Sequence, residues 1–138
     1  MRSTDEQKQT PKVLIVDDEE TIVELLIKII NRAGYGDVLT AYDGDSALEL
    51  YRSEKPDIVF TDYLMDGMDG ISLIEEIWAE DPNVPIAIFS GFCVDAVAEA
   101  SFKSLKQELK KRKVKPNHVF RKPFEAKDII DVIKRYFP

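Results

Sequence analysis

The sequence predicts an α/β fold, a doubly wound five-stranded parallel sheet with helices on both faces, and three observations carry that expectation. Short uninterrupted apolar runs recur at 13–16, 58–61 and 86–89, the pattern of strands buried on both faces. Longer segments between them place apolar residues at helical spacing. Each run then stops at polar residues, which puts Asp17 and Asp18, Asp62 and Ser90 at the ends of predicted strands, and Lys122 follows a further short strand at 119–121.

Residues 1–11 are polar and end at Pro11, so they are expected to form a flexible tail ahead of a folded region at 12–138. The first strand, 13–16, meets Asp17 and Asp18. Ile22, Leu25, Leu26, Ile29 and Ile30 then mark a helix over 19–33, and Gly34 supplies its stop signal. A short strand at 38–41 follows. Asp43 is placed to cap the next helix, which runs through Ala47, Leu48 and Tyr51 and ends before Pro56. The strand at 58–61 is closed by Asp62. A loop holding Gly67 and Gly70 leads into a helix through Ile71, Leu73, Ile74, Ile77 and Trp78, ended by Asp81 and Pro82. Strand four, 86–89, is closed by Ser90 and Gly91, and a long helical pattern spans 94–113. Strand five covers 119–121 and gives way to Lys122 and Pro123, after which Ile129, Ile130, Ile133 and Phe137 mark the last helix. Right-handed crossovers between such units give the flavodoxin-like strand order 2-1-3-4-5. In that arrangement a site lies at the carboxyl ends of the strands, where the strand order reverses.

A length of 138 residues fits one domain with a real core, so any output is expected to run through a partner. Apolar residues at 44% and charged residues at 33% are the balance of a chain that folds. With 26 acidic against 19 basic residues the net charge is −7, which argues against broad phosphate-backbone binding. A lone Cys93 excludes an intrachain disulfide and a lone His118 excludes a His/Cys metal cluster, which suits a reducing, cytoplasmic setting. Cys93 reads as a small buried hydrophobe. No apolar run reaches membrane-spanning length.

The strand ends bring three carboxylates to one edge. At about 4 Å and an effective dielectric of about 20, each charged pair would cost roughly 4 kcal/mol, so positive charge must sit among them. Lys122 supplies one such charge. A divalent cation such as Mg²⁺ suits the rest, because it favours one or two carboxylates together with water and phosphate oxygens. The set fits phosphoryl transfer to a carboxylate nucleophile, with Ser90 donating a hydrogen bond to the transferred group.

The motifs VLIVDDE (13–19), DIVFTDYLMDGMDG (57–70), IFSGF (88–92) and RKPF (121–124), in this order and spacing, resemble the receiver domain of two-component response regulators, chemotaxis-regulator-like single-domain receivers included. The resemblance spans nearly the whole chain. It implies that Asp62 is the phosphoacceptor, charged by a histidine kinase or phosphotransfer protein. It implies that Asp18 is a direct Mg²⁺ ligand, Asp17 a companion acid acting mainly through water, and the backbone carbonyl of Leu64 a further metal contact beside Asp62. Ser90 takes the hydroxyl role and Lys122 the phosphate-pairing role, with a cis Lys122–Pro123 bond aiming the lysine inward. The implied protein is a switch that alters binding to a downstream target, not a metabolic enzyme.

Several positions depart from the family pattern. Val119 stands three residues before the lysine, where an aromatic ring is usual, and strand alternation points Phe120 to the opposite face. Asp66 replaces a usual Pro, which loosens that loop. Leu64 and Phe92, two residues beyond Asp62 and Ser90, are apolar and cannot orient a hydrolytic water, which predicts slow self-dephosphorylation. The segment from Ser90 to Lys122 is longer than usual. Within it Val94, Ala98, Phe102, Leu105 and Leu109 form an apolar stripe, and Lys103, Lys106, Lys110, Lys111, Arg112, Lys113 and Lys115 surround it with charge. The plain reading is a longer amphipathic helix with a solvated face; the alternative is a docking surface for an acidic partner, with nucleic acid or anionic lipid as lesser options. Two other functions compete with the switch. One is a degenerate receiver that binds partners without phosphorylation. The other is an aspartyl-phosphate phosphohydrolase with Asp17 as nucleophile, for which Glu19 is an approximate second acid.

Overall fold

The computed structural model describes residues 10–90, 95–122 and 124–138, with backbone alone for 95–99. The expectations for residues 1–9, Phe92, Cys93, Val94, the Ala98 side chain and the Lys122–Pro123 bond lie outside the described residues. The elements alternate as β1 (Val13–Val16), α1 (Glu20–Arg32), β2 (Val38–Ala41), α2 (Gly44–Glu54), β3 (Ile58–Asp62), α3 (Gly70–Glu80), β4 (Ile86–Ser90), α4 (Asp95–Arg112), β5 (His118–Arg121) and α5 (Ala126–Tyr136). The strands are parallel in the order β2-β1-β3-β4-β5, as the alternation predicts.

The apolar runs are uninterrupted because successive side chains enter two different cores. Leu14, Val16, Val59, Ile86 and Ile88 pack with Leu48, Ile74 and Leu105 of α2, α3 and α4. Val13, Ile15, Ile58, Phe60 and Phe89 face the other way, against Leu26 and Ile30 of α1 and Ile129 and Ile133 of α5. Among the described residues no helix is long and apolar enough to cross a membrane.

Boundaries shift where backbone pairing outlasts side-chain polarity. Asp62 and Ser90, expected just past their strands, lie within β3 and β4, since Tyr63 N–H donates to Phe89 O and Lys122 N–H to Ser90 O, both at 2.9 Å. Strand β5 starts at His118, one residue earlier than expected, where the ring meets Tyr136 Oη at 2.9 Å and stacks on Phe120. Asp43 caps α2 as expected, accepting from Ser46 N–H at 2.7 Å.

At the end of α4, Lys113 takes a left-handed conformation with φ of 60°. A side chain there costs on the order of 1 kcal/mol relative to glycine. Lys113→Gly is therefore expected to raise stability by about 0.5–1 kcal/mol, seen as a higher urea midpoint with an unchanged slope.

Candidate functional site

The sheet register assembles the site. Val16 pairs with Thr61, which sets Asp17 beside Asp62; Asp62 pairs with Phe89, so Ser90 follows one step on; Ser90 pairs with Arg121, which sets Lys122 next. Asp17 is fully buried, Asp62 nearly so, and Asp18 stands exposed at the rim. One carboxylate oxygen from each lies within 4.8 Å of the others. Thus the structure brings together the acids, the hydroxyl and the lysine picked out from sequence.

Lys122 is 1% exposed and is the counter-charge of this edge. Its ammonium donates to Asp17 Oδ2 at 3.0 Å and lies 3.4 Å from both Glu19 Oε1 and Asp62 Oδ1. Below it is the Phe89 ring, 5.4 Å from the nitrogen. Asp17 Oδ1 accepts from Glu19 N–H at 2.9 Å, and Asp62 Oδ1 from Tyr63 N–H at 3.0 Å, which fixes both carboxylates.

Among the described residues the cluster holds one ammonium against four carboxylates, and the proton affinities follow. Burial pushes the Asp62 carboxyl up to about 7; Lys122 opposes that rise, while Asp17 and Asp18 add to it. Asp18 is raised by partial burial and then by Asp17. Burial works against the Lys122 ammonium, but Asp62 and Asp17 outweigh it and hold the lysine charged.

Ser90 Oγ is buried and has no hydrogen-bond partner among the described residues. Such a hydroxyl costs about 1–3 kcal/mol when left unmade, so it is placed to meet an incoming acceptor. Three carboxylates at one edge are a hard-oxygen donor set that fits Mg²⁺. The unsatisfied hydroxyl beside them fits a phosphoryl oxygen.

The loop after β3 is pinned at its far end. Gly70 N–H donates to Tyr63 O at 2.8 Å, and the glycine lies so close to Asp62 that a Cβ would overlap the Asp62 carbonyl oxygen. Within this loop Leu64 is an exposed large apolar residue, 49% accessible. On β5, Val119 packs on the α2–α4 side and Phe120 on the α1–α5 side, so the two do face opposite ways.

Two contacts were not legible beforehand. Glu19 pairs with Lys122, although its place directly after Asp17 and Asp18 was a usable signal. Arg112, expected on a solvated face, instead grips Asp69, with its Nη atoms 3.2 and 3.0 Å from the two carboxylate oxygens. Nothing in the periodicity of α4 points to that partner.

Comparison with known proteins agrees with this geometry. The response regulator receiver domain family matches residues 13–134. The chain is 33% identical to sporulation initiation phosphotransferase F of Bacillus subtilis, over 92% of this chain and 94% of that protein. It is 36% identical to the chemotaxis protein CheY of Thermotoga maritima, over 78% of this chain and 90% of the relative. The crystal structure of the receiver domain of NtrX from Brucella abortus superposes with a TM-score of 0.70 at 30% identity, covering 91% of this chain and 98% of that one. Against two further relatives, both named as transcriptional regulators, the chain spans 32% and 30% of their length.

Proposed function

The chain belongs to the response regulator receiver domain family of two-component systems, where signalling rests on phosphorylation, and from that premise we propose that Asp62 is its phosphoacceptor. The observation that carries this reading is the buried hydroxyl of Ser90, without a hydrogen-bond partner among the described residues, at the strand end beside Asp62 and Lys122. An Asp62 carboxylate oxygen attacks the phosphorus of a phosphohistidine on a kinase or phosphotransfer protein; the new O–P bond forms as the N–P bond breaks, and the imidazole leaves. Lys122 pairs with one phosphoryl oxygen and Ser90 donates to another. Asp17, Asp18, Asp62 and the backbone carbonyl of Leu64 are the groups that would hold Mg²⁺, which supplies charge neutralisation at the phosphoryl oxygens.

The protein acts as a switch, not a metabolic enzyme, in a cytoplasmic setting. Its proposed downstream surface is a groove of about 460 Å³ where Phe102 is flanked by Lys103, Lys106, Lys110 and Arg121, a chemistry suited to an acidic protein segment.

Incubation with Mg²⁺ and acetyl phosphate tests the acceptor. Intact mass is expected to show one phosphoryl adduct, peptide mapping to place it at 62, and Asp62→Asn to abolish it. A wild-type protein that takes up no phosphoryl group would favour the phosphorylation-independent module, and an adduct that survives Asp62→Asn would move the acceptor elsewhere.

The lifetime of that adduct is a second expected result. Leu64 offers no group that positions water, so the phosphoprotein should decay over many minutes. Leu64→Asn, which adds an amide at the exposed rim, is expected to shorten the lifetime by about tenfold. Decay of the purified wild-type phosphoprotein within seconds would contradict this.

A further inference from the structure

The C-terminal end of α4 is fixed more firmly than a solvated basic helix requires. Lys113 turns left-handed, Val114 N–H donates to Leu109 O at 3.0 Å, and the Val114 side chain is buried, which closes the last turn against the core. Glu108 steers Arg112 by accepting from its Nε at 3.2 Å. The guanidinium then meets Asp69 side by side and also reaches Ser72 Oγ at 3.3 Å. Although burial opposes it, hydrogen bonds from Arg112 and Ser72 hold the Asp69 carboxyl below its ordinary value.

Asp69 is not an incidental partner. It caps α3 by accepting from Ser72 N–H at 2.8 Å, and it directly precedes Gly70, whose backbone rests on the carbonyl of Asp62. The loop that leaves Asp62 is therefore closed at its far end by the last residue of α4. The start of α4 follows the end of β4, which carries Ser90. Helix α4 is thus tied at its C-terminal end to the loop that leaves Asp62, and that docked end is the one loaded with Lys110, Lys111 and Arg112.

We propose that Arg112 is a positioning residue for phosphoryl transfer, and that its bidentate pair with Asp69 carries the phosphorylation state of Asp62 to the C-terminal end of α4. The proposal rests on Asp62 being the acceptor. A change at Asp62 is transmitted through Tyr63 and Gly70 to Asp69, and from there to Arg112. By reciprocity, a partner that binds the basic end of α4 shifts the affinity of the site for the phosphoryl group.

Hydrogen exchange on the full chain, with and without Mg²⁺ and beryllium fluoride as a phosphoryl mimic, tests both layers. In the wild type, loading is expected to change exchange in 63–72 and in 108–114. In Arg112→Gln the change in 63–72 should persist, while that in 108–114 falls by about two- to fivefold, the range for a partly exposed ion pair. The rate of phosphoryl uptake from acetyl phosphate should fall by a similar factor. Asp69→Asn keeps an oxygen to cap Ser72 but breaks the pair, so it should give the same result, and the double variant should be no worse than either single. An unchanged 108–114 response in both variants, additive effects in the double variant, or a wild type that loads without any response in 108–114 would overturn the clamp and leave the acceptor standing. Failure of the wild type to load at all would overturn the acceptor, and the clamp with it.

Discussion

Gly70→Ala is expected to cost about 3 kcal/mol of folding stability, the upper part of the range for forced overpacking, and to slow phosphoryl uptake at Asp62 by at least about tenfold, since a misplacement near 1 Å can cost more than that. The added methyl would overlap the Asp62 carbonyl oxygen, and its next neighbours are the Asp62 carbonyl carbon and Tyr63 Cα. All three are backbone atoms, so no side-chain rotation can relieve the overlap. The start of α3 must move off the end of β3, stretching the 2.8 Å bond from Gly70 N–H to Tyr63 O. That displacement acts on the residue proposed to take the phosphoryl group. Gly67→Ala is the control: it has a positive φ of 79° but nothing within 4 Å of a new Cβ. Its cost should be about 1 kcal/mol, from backbone conformation alone, with uptake unchanged. Urea denaturation and acetyl phosphate kinetics on the two variants separate the effects; equal losses would mean that close packing on Asp62 is not what Gly70 provides.

The same contrast between local and tertiary causes explains what could be read from sequence. Strands β1, β3 and β4 were legible because a parallel strand covered on both faces must be apolar at successive positions, and Val13–Val16 is fully buried on that account. The site was legible because strand ends in such a sheet fall on one edge, so Asp17, Asp62, Ser90 and Lys122 could be brought together without any contact being known. What was hidden depended on distant partners. Polar Asp62 and Ser90 remain in their strands because ladder bonds, not side-chain polarity, set the boundary. His118 opens β5 because it pairs with Ala87 of β4, while Tyr136 and Phe120 receive its ring. Arg112 has the same spacing as its solvated lysine neighbours, yet its partner Asp69 lies 43 residues away in sequence. The Ser90 hydroxyl was assigned a role, but only the packing around it reveals that it is buried with no partner among the described residues.

Lys122→Met should have the other large effect, because it removes the ammonium while keeping an unbranched apolar stem against Phe89. Asp17 would lose a donor at 3.0 Å and Asp62 a cation at 3.4 Å, and both carboxylates are buried. Glu19, with its side chain 46% exposed, can turn to water instead. Breaking a buried pair from one side typically costs about 3–5 kcal/mol, and that is the loss expected in metal-free protein at about pH 8, above the folded pKa of Asp62. The pH dependence has a definite sign. Burial already raises the Asp62 carboxyl to about 7, above its unfolded value, so its share of stability is fully present at low pH and declines as pH rises through about 7. Without Lys122 the carboxyl is raised further, so the variant should fall behind the wild type much more at alkaline than at acidic pH. Added Mg²⁺ should recover part of the lost stability by restoring positive charge among the carboxylates. It should not recover the rate, since the group that pairs with the phosphoryl oxygen is gone, and uptake from acetyl phosphate at saturating Mg²⁺ should stay about a hundredfold slow. A variant that matches the wild type in stability at alkaline pH and in phosphoryl uptake would mean that Lys122 is neither the counter-charge of the cluster nor the phosphate partner.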